Sequence, residues 1–261
     1  MNLPARYIFK PDHPFPFGSG QASLSFKMLE SKLPFEPDIW INVSSTLVTH
    51  GRPAKGLYAV IAADPHVLDY DAERAKADLF FNMQKPYMKA GDIWLPYGYD
   101  PVWHAQTTIP WGDREYDAAL LGLQYPNRNK LVAALRAKGY EVAYELGPCY
   151  EDARDIYHST RVGLNWSSLQ DTTARVFEIM AFGIAPVLNR TPDLMEMFSE
   201  GKDFWGFNTL DEAVKQVDYC LDHPLSAEAI ALQARQSVEP HSWDARVQTV
   251  LEEAGLANKD A

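Results

Sequence analysis

The stretch that decides the fold runs from Arg161 to Gly183 and reads RVGLNWSSLQDTTARVFEIMAFG. Its first part, Val162 to Trp166, is a short apolar run that is typical of a buried strand. Small polar residues follow, and apolar residues from 176 to 183 then recur at i, i+3, i+4 and i+7. That spacing predicts one face of a helix opening near Asp171. The stretch therefore predicts a strand, a polar loop and a helix in direct succession.

The junction between this strand and this helix has the chemistry of an anion site, because free amides and the dipole at a helix N-terminus favour a phosphate. Arg175 adds a guanidinium able to grip a phosphate, and Glu178 can accept hydrogen bonds from sugar hydroxyls. Polar residues of the loop and first turn complete the candidate set: Ser167, Ser168, Asp171, Thr172 and Thr173. The alternative is structural, since an acid near a helix start and a nearby charge pair also serve capping and solubility.

The composition is that of an ordinary globular protein, with 46% hydrophobic and 23% charged residues. At 261 residues the chain is long enough for one large or two small domains. The sequence has no apolar stretch long enough for a membrane span, and MNLPARYIFK lacks the apolar core of a signal peptide. Cys149 and Cys220 are far apart and match no metal spacing. We therefore expect a cytoplasmic protein with reduced thiols.

The net charge of −11 is unevenly distributed along the chain. Residues 1–112 contain 10 Lys and Arg against 11 Asp and Glu, whereas residues 113–261 contain 14 against 24. An acidic C-terminal half is a poor platform for nucleic acid. The nearly neutral N-terminal half leaves nucleic-acid binding open.

Strands and helices alternate in two successive runs, an arrangement typical of parallel sheets. After an irregular arm with a short helix near 21–32, the first run has strands at 38–43, 57–62, 78–82 and 92–95. A proline- and tryptophan-containing linker covers 99–116. The second run has strands at 116–123, 140–145, 162–166 and 184–188, and helices at 127–138, 151–158, 171–182, 192–200, 211–222, 226–238 and 242–254. We expect an α/β protein of two Rossmann-like domains, residues 1–112 and 113–261, facing each other across a cleft.

Several segments together carry a family resemblance. In the C-terminal half they are YDAALLGLQYPNR, RVGLNWSSLQDTTARVFEIMAFGIAPVLNRTPDL and PHSWDARVQTVLE; in the N-terminal half they are AADPHVLDY, KADLFF and WLPYGYDPVWH. With them the chain resembles the GT-B glycosyltransferases, specifically the family-4-like "glycosyl transferases group 1" and the CgeB-like group. The resemblance implies metal-independent hexosyl or pentosyl transfer, with the donor in the second domain and the acceptor in a shortened first domain. It also implies that the last helix packs back on the first domain.

The resemblance assigns donor-binding roles residue by residue. Glu178 matches the glutamate that holds the donor ribose, and Arg128, Lys130 and Arg175 stand where basic residues meet the diphosphate. The base would lie along the segment that ends at Tyr150. A UDP- or GDP-sugar is then the expected co-substrate, with no cofactor and no metal. The family pattern has a second glutamate eight residues before the ribose-binding one, and here that place is Gln170.

The candidates for acid–base chemistry and acceptor binding lie in the first half. Asp64 and His66 follow the strand LYAVIA and suit a general base, although capping by Asp64 and packing by His66 explain them equally well. Asp100 is a third catalytic candidate, and Tyr99-Asp100-Pro101 is also typical of a turn. The acceptor-side candidates are His50, Gly51 and His104. Asp69-Tyr70-Asp71 has the spacing of a DxD metal motif, but acids are also expected before the helical run that follows.

Three functions remain in view. The leading one is a glycosyltransferase that uses a nucleotide-sugar and a hydroxyl acceptor, which is a small molecule, a glycan, a protein or DNA. The second is a non-catalytic nucleotide-sugar-binding protein. The third is a glycosyltransferase that acts on a hydroxylated base in viral DNA, an idea based on Arg6, Lys10, Arg52, Lys55, Lys85 and Lys89. A Rossmann dehydrogenase is disfavoured because no G-x-G-x-x-G follows a predicted strand. Nothing in the sequence specifies an oligomeric state.

Overall fold

The computed structural model describes residues 34–44, 52–145, 151–167 and 169–257. The chain divides into two compact units, Met1–Pro96 with Gln248–Ala261, and Tyr97–Val247. Residues 97–112, which include most of the predicted linker, group with the second unit, although the sequence analysis ended the first domain at residue 112. The hydrogen bonds of Thr107 explain this grouping, because its N–H donates to Phe182 O at 2.9 Å and its hydroxyl donates to His158 O at 2.8 Å.

The first unit contains a parallel sheet in the order β1-β2-β3-β4. Its strands are β1 (Ile39–Ser44), β2 (Leu57–Ala62), β3 (Leu79–Asn82) and β4 (Ile93–Trp94). A short helix, α1 (Asp71–Arg74), precedes β3, and a 3-10 turn at Lys85–Tyr87 follows it. Trp40, Tyr58, Val60, Tyr70 and Phe80 form part of one buried cluster. The strands predicted for this half are confirmed.

The second unit contains a parallel sheet in the order β6-β5-β7-β8-β9. Its strands are β5 (Tyr116–Leu121), β6 (Val142–Glu145), β7 (Thr160–Asn165), β8 (Ala185–Asn189) and β9 (Trp205–Phe207). Its helices are α2 (Pro126–Ala137), α3 (Glu151–His158), α4 (Ala174–Phe182), α5 (Pro192–Met197), α6 (Leu210–Asp222) and α7 (Pro224–Val238). The last helix, α8 (Trp243–Glu253), begins in this unit and ends among residues grouped with the first.

The sheet of the second unit is covered on both faces, as its apolar strands require. Successive residues of β5 alternate between two hydrophobic clusters: Ala118 and Leu120 belong to one, Ala119 and Leu121 to the other. The strand order reverses between β5 and β7, because β5 lies beside both β6 and β7. In such sheets the crevice beyond the carboxyl ends of the strands at this reversal is the usual ligand site.

The second unit differs from the prediction in one strand and at several element boundaries. β9 was not predicted, because an edge strand of three residues is too short to show alternation. Helix α4 begins at Ala174 rather than near Asp171. The expected start was too early because Ser167 binds both the main-chain N–H and the carboxylate of Asp171, which keeps this residue in the loop.

Helix α4 lies unusually close to β7. A Cβ on Gly163 would come within 2.5 Å of Ile179 Cγ2, so only glycine fits at this crossing. The helix ends at Gly183, whose φ of 67° places it in the left-handed conformation that glycine adopts without strain. The close contact at Ile179 sets the distance between α4 and the sheet, and with it the position of the neighbouring Glu178.

Candidate functional site

Arg128 joins the two loops at the reversal of strand order. It lies near the start of α2 and is 7% exposed. Its Nε donates to Trp166 O at 2.8 Å, beyond β7, and its Nη1 donates to Leu123 O at 3.0 Å, beyond β5. Its Nη2 is 3.3 Å from Oδ1 of Asn165, the last residue of β7. One side chain therefore ties together the carboxyl ends of β5 and β7.

The guanidinium of Arg128 is hydrogen-bonded to uncharged groups. Each of its hydrogen bonds within the described residues goes to a carbonyl or amide oxygen, and the Tyr125 ring lies 5.2 Å from its guanidinium carbon. Burial lowers the pKa of this guanidinium, and the nearby charge of Arg175 lowers it as well. A guanidinium has five N–H donors, so donors remain beyond those used here. A buried cation without a carboxylate partner attracts an anionic ligand.

The loop between β7 and α4 is stabilised from within by its own polar side chains. The Ser167 hydroxyl donates to Asp171, the Asp171 N–H returns a bond to the Ser167 hydroxyl at 3.0 Å, and Ser167 N donates to Asn189 Oδ1 at 2.7 Å. The Thr172 hydroxyl lies 2.5 Å from that of Thr191. Ser167, Asp171 and Thr172, which were expected to bind the ligand, thus stabilise the conformation of the loop.

The N-terminus of α4 lies beside the carboxyl end of β7. Thr173 is the N-cap residue and has extended backbone angles, but its side chain does not cap the helix amides. Its hydroxyl instead lies 3.5 Å from Asn165 Oδ1. The dipole of helix α4 adds to the positive potential of Arg128.

Arg175 and Glu178 form an ion pair on α4. Arg175 Nη1 is 2.6 Å from Glu178 Oε2, a contact that does not count as a hydrogen bond of this oxygen. The Arg175 guanidinium carbon lies 5.5 Å from the centre of the Tyr157 ring on α3. Tyr157 is fully buried, and burial raises the pKa of its hydroxyl. The pair therefore places one cation and one carboxylate beside the Arg128 charge.

His104 also belongs to this group. Its Nε2 lies 3.9 Å from Glu178 Oε1, and its ring packs edge-on against Phe182 at a centroid distance of 5.3 Å. The sequence analysis placed His104 on the acceptor side, whereas within the second unit it lies beside the residue expected to hold the donor.

The sequence analysis missed three residues of this group: Tyr157, Asn165 and Asn189. Asn165 and Asn189 are each the last residue of an apolar strand. A polar residue at the carboxyl end of a parallel strand is a signal that was available. The role of Tyr157 had no such signal, because it depends on the packing of α3 against α4.

Other predicted residues lie elsewhere or outside the described chain. Lys130 is exposed on α2, about 200° around the helix from Arg128. Asp100 Oδ1 accepts the N–H groups of Val102 and Trp103 at 2.8 and 3.1 Å, the geometry of the expected turn. The residues outside the described chain are His50, Gly51, Tyr150 and Ser168.

Asp64 and His66 belong to the first unit. Asp64 O accepts the N–H groups of Val67 and Leu68 at 3.1 and 3.0 Å, so the residue closes a turn after β2. The His66 ring packs near that of Tyr87 at 5.9 Å. These positions fit the structural alternative, and a catalytic role for either residue stays a prediction.

The DxD sequence of the first unit is engaged in local contacts. Asp69 accepts the N–H of Asp71 at 2.9 Å, and Asp71 pairs with Arg74 at 2.8 Å and Lys89 at 2.5 Å. Across the described ranges, no group of three or more His, Cys, Asp or Glu side chains is arranged to hold a metal ion.

Comparison with known families decides how this group is classified. A family model described as glycosyl transferase-like matches residues 110–252, which is more than half of the chain and includes Arg128, Arg175 and Glu178 but not His104. The chain belongs to this glycosyl transferase-like family. No curated protein matches its sequence. None of the helices in the described part of the chain has the length and apolar character that a bilayer crossing needs.

Several solved structures similar to this chain are glycosyltransferases. HepE of Anabaena, solved in complex with UDP-glucose, is 11% identical, with 77% of this chain and 73% of HepE covered and a TM-score of 0.62. Sucrose-phosphate synthase of Thermosynechococcus elongatus is 13% identical, with 77% and 68% covered and a TM-score of 0.55. An α1,3-fucosyltransferase solved with GDP-fucose is 12% identical, with 87% and 80% covered and a TM-score of 0.54. These similarities confirm the predicted GT-B fold.

Proposed function

We propose that this protein transfers a sugar from a nucleotide-sugar donor to a hydroxyl acceptor. The observation that carries the proposal is Arg128, a buried cation without a carboxylate partner among its described hydrogen bonds, at the reversal of strand order. It lies beside Arg175 and the N-terminus of α4, so two cations and the helix dipole contribute positive potential there. HepE, which shares the fold, was solved with UDP-glucose, and the proposal extends that kind of ligand to this chain.

The proposed reaction requires the site to stabilise a leaving diphosphate. The acceptor oxygen forms a bond to the anomeric carbon, and the bond from that carbon to the phosphate oxygen breaks. The nucleoside diphosphate leaves with the electron pair, and the hydroxyl proton passes to a base. Arg128, Arg175 and the α4 amides would stabilise the negative charge that develops on the diphosphate. This arrangement supports transfer without a metal.

Glu178 is proposed to accept hydrogen bonds from the donor ribose. Its carboxylate is only partly exposed, and one of its oxygens makes no aligned hydrogen bond within the described residues. That buried oxygen, Oε2, lies 2.6 Å from Arg175 Nη1, so Oε1 is the oxygen proposed to accept the ribose hydroxyl. Arg175 then has two tasks, holding the carboxylate and approaching the diphosphate.

For the general base and for acceptor binding we propose residues other than Arg128, Arg175 and Glu178. Asp64, His66 and Asp100 are the proposed bases, with His50 and Gly51 on the acceptor side, and Lys130 and Tyr150 as further donor contacts. We propose UDP or GDP as the donor nucleotide, with a hexosyl or pentosyl group, in a cytoplasmic protein.

The charge pairing of the first unit argues against DNA as the acceptor. Arg52 pairs with Asp78 at 2.7 Å, Lys55 with Glu36 at 3.0 Å and Lys89 with Asp71 at 2.5 Å. A basic side chain with its own acid attracts phosphate less strongly. Two members of the basic set, Arg6 and Lys10, lie outside the described residues. A small-molecule, glycan or protein acceptor is therefore preferred.

The test is calorimetric titration of the full chain with UDP, GDP, ADP and dTDP, and with their sugar conjugates. We expect one nucleotide to bind, and Arg128→Met to weaken it about 10- to 100-fold, the range for a lost hydrogen bond to a charged group. Nucleotide binding unchanged in Arg128→Met, or no binding of any nucleotide at millimolar concentration, would contradict the proposal.

Arg114 offers a matched control. It is also 7% exposed, and it donates to Ile109 O at 3.1 Å and to Thr160 O at 3.2 Å. Burial lowers the pKa of this guanidinium too. Thr160 is the first residue of β7. Arg114 therefore binds the amino end of this strand, whereas Arg128 binds the loop beyond its carboxyl end. Arg114→Met should lose stability but keep the nucleotide affinity of the wild type.

A further inference from the structure

We propose that His104 is a positioning residue that holds the Glu178 carboxylate in the orientation needed to receive the donor ribose. The inference rests on the proposed function and adds to it a residue from the segment before β5. Nothing in the local sequence pairs these two residues, which are brought together only by the fold.

The segment that carries His104 is held against helix α4 by hydrogen bonds. Thr107 binds the main-chain oxygens of Phe182 and His158, as described above. His104 N donates to Asp100 O at 2.9 Å, which closes the turn that leads into the segment. The His104 ring also packs against Phe182, at the end of α4. The position of the imidazole is therefore set independently of Glu178.

The partner of Nδ1 sets the tautomer of His104. Asp100 N donates to His104 Nδ1 at 2.9 Å. Asp100 O lies slightly farther from the same nitrogen, at 3.1 Å. A main-chain N–H can only donate, so the proposal assigns Nδ1 as its acceptor and the ring proton to Nε2. That N–H is the group 3.9 Å from Glu178 Oε1.

Glu178 thus has a nitrogen near each of its oxygens, Arg175 at Oε2 and His104 at Oε1. The His104 distance is longer than a hydrogen bond, so the contact is electrostatic and leaves Oε1 able to accept a ligand hydroxyl. Without His104, the carboxylate is free to turn towards Arg175 and form a two-point pair with it. The ribose hydroxyls would then lose their acceptor, while the diphosphate contacts would remain.

The experiment compares ribose and 2′-deoxyribose ligands, using UDP with dUDP and GDP with dGDP. We expect the wild type to prefer the ribonucleotide and His104→Asn to lose that preference by about tenfold, because the Asn amide is too short to reach Glu178. His104→Gln places an amide N–H near the position of Nε2 and should restore the preference. A preference that persists in His104→Asn, or that is lost equally in His104→Gln, would overturn the inference.

His158 provides the matched control. It also packs edge-on against Phe182, at 5.5 Å, but its Nε2 lies 3.0 Å from Ala105 O. His158→Asn should therefore keep the wild-type preference, and its loss in this variant would contradict a specific role for His104. A wild type that binds neither nucleotide pair would count against the proposed function itself.

The tautomer can be measured directly on the wild type. Nitrogen-15 NMR of histidine-labelled wild type should show His104 protonated on Nε2 and not on Nδ1. Glu178→Gln should shift the His104 Nε2 resonance and leave that of His158 in place. An Nδ1-protonated His104, or an unshifted Nε2 signal, would overturn the inference.

Discussion

Arg128 Nε donates to the main-chain oxygen of Trp166 at 2.8 Å, which links the start of helix α2 to the loop that follows β7. These residues belong to different βα units, and their contact lies where the strand order of the sheet reverses. Because the same guanidinium also binds Leu123 O, neither loop can shift without disturbing the other. The proposed donor site is therefore built on a rigid connection between two strands.

Replacing Arg128 by lysine should lower the free energy of unfolding by about 1–3 kcal/mol. Lysine keeps the charge but has one nitrogen, so it cannot bind the carbonyls of Leu123 and Trp166 in the fork geometry of arginine. Urea unfolding monitored by circular dichroism would measure the loss. Arg136→Lys, at an exposed position on the same helix, puts only the single bond of Arg136 to Val142 O at risk and should cost less than Arg128→Lys does. Equal losses in the two variants would contradict the bridging role.

Replacing Glu178 by glutamine should weaken binding of the ribonucleotide about 10- to 100-fold and change binding of its 2′-deoxy analogue much less. A neutral amide accepts hydrogen bonds from hydroxyls less strongly than a carboxylate does. Removing the charge also frees Arg175 from its ion pair, so the diphosphate contacts should be kept. Titration calorimetry with UDP and dUDP, or with GDP and dGDP, would measure both effects. Equal weakening of the two ligands would show that Glu178 does not contact the ribose.

Replacing Gly163 by alanine should destabilise the second unit by about 1–3 kcal/mol through overpacking. The new Cβ would lie 2.5 Å from Ile179 Cγ2 and 2.9 Å from Ile184 Cδ1, so α4 would have to move away from β7. Nucleotide affinity should fall as well, because Glu178 moves with the helix. Gly112→Ala is the control, since no atom lies within 4 Å of its added Cβ. A fully stable Gly163→Ala protein would mean that α4 adjusts freely.

His241 should make the protein less stable as the pH falls from about 6.5 to about 4. Burial, together with the charge of Arg246, lowers the pKa of His241 from 6.5 to about 4. Between these values the unfolded chain binds a proton that the folded chain does not, so acidification favours unfolding, and the effect is absent above about pH 6.5. We expect a loss of about 2 kcal/mol after allowance for partial solvent exposure.

The pH prediction is tested by comparing urea unfolding of the wild type and His241→Asn across this range. The His241 ring packs on Phe177 at 5.6 Å and Phe198 at 5.2 Å, and its Nδ1 lies 2.6 Å from Arg246 Nη2. The substitution should lower the free energy of unfolding near pH 7. The gap in unfolding free energy between the wild type and the variant should narrow as the pH falls towards 4. Parallel curves for the two proteins would exclude His241 as the source of the pH dependence.

Local sequence patterns were sufficient for most of the secondary structure. The apolar run before Ser167 predicted β7, and the helical period from Val176 predicted α4, because these signals depend on residues within one or two turns of each other. The same logic failed at the start of α4. There Ser167 and Asp171 bind one another, and this side-chain contact competes with the helix without altering the period.

The sequence by itself determined the parallel α/β character of both units and the polar loop before α4, because hydrophobic period and strand alternation are local properties. Arg175 and Glu178 were likewise identified from one helix. Only the tertiary structure decided that Arg128 bridges Leu123 and Trp166 and that His104 faces Glu178. These contacts join residues far apart in the chain, and their geometry follows from strand order and helix packing, which no local pattern encodes.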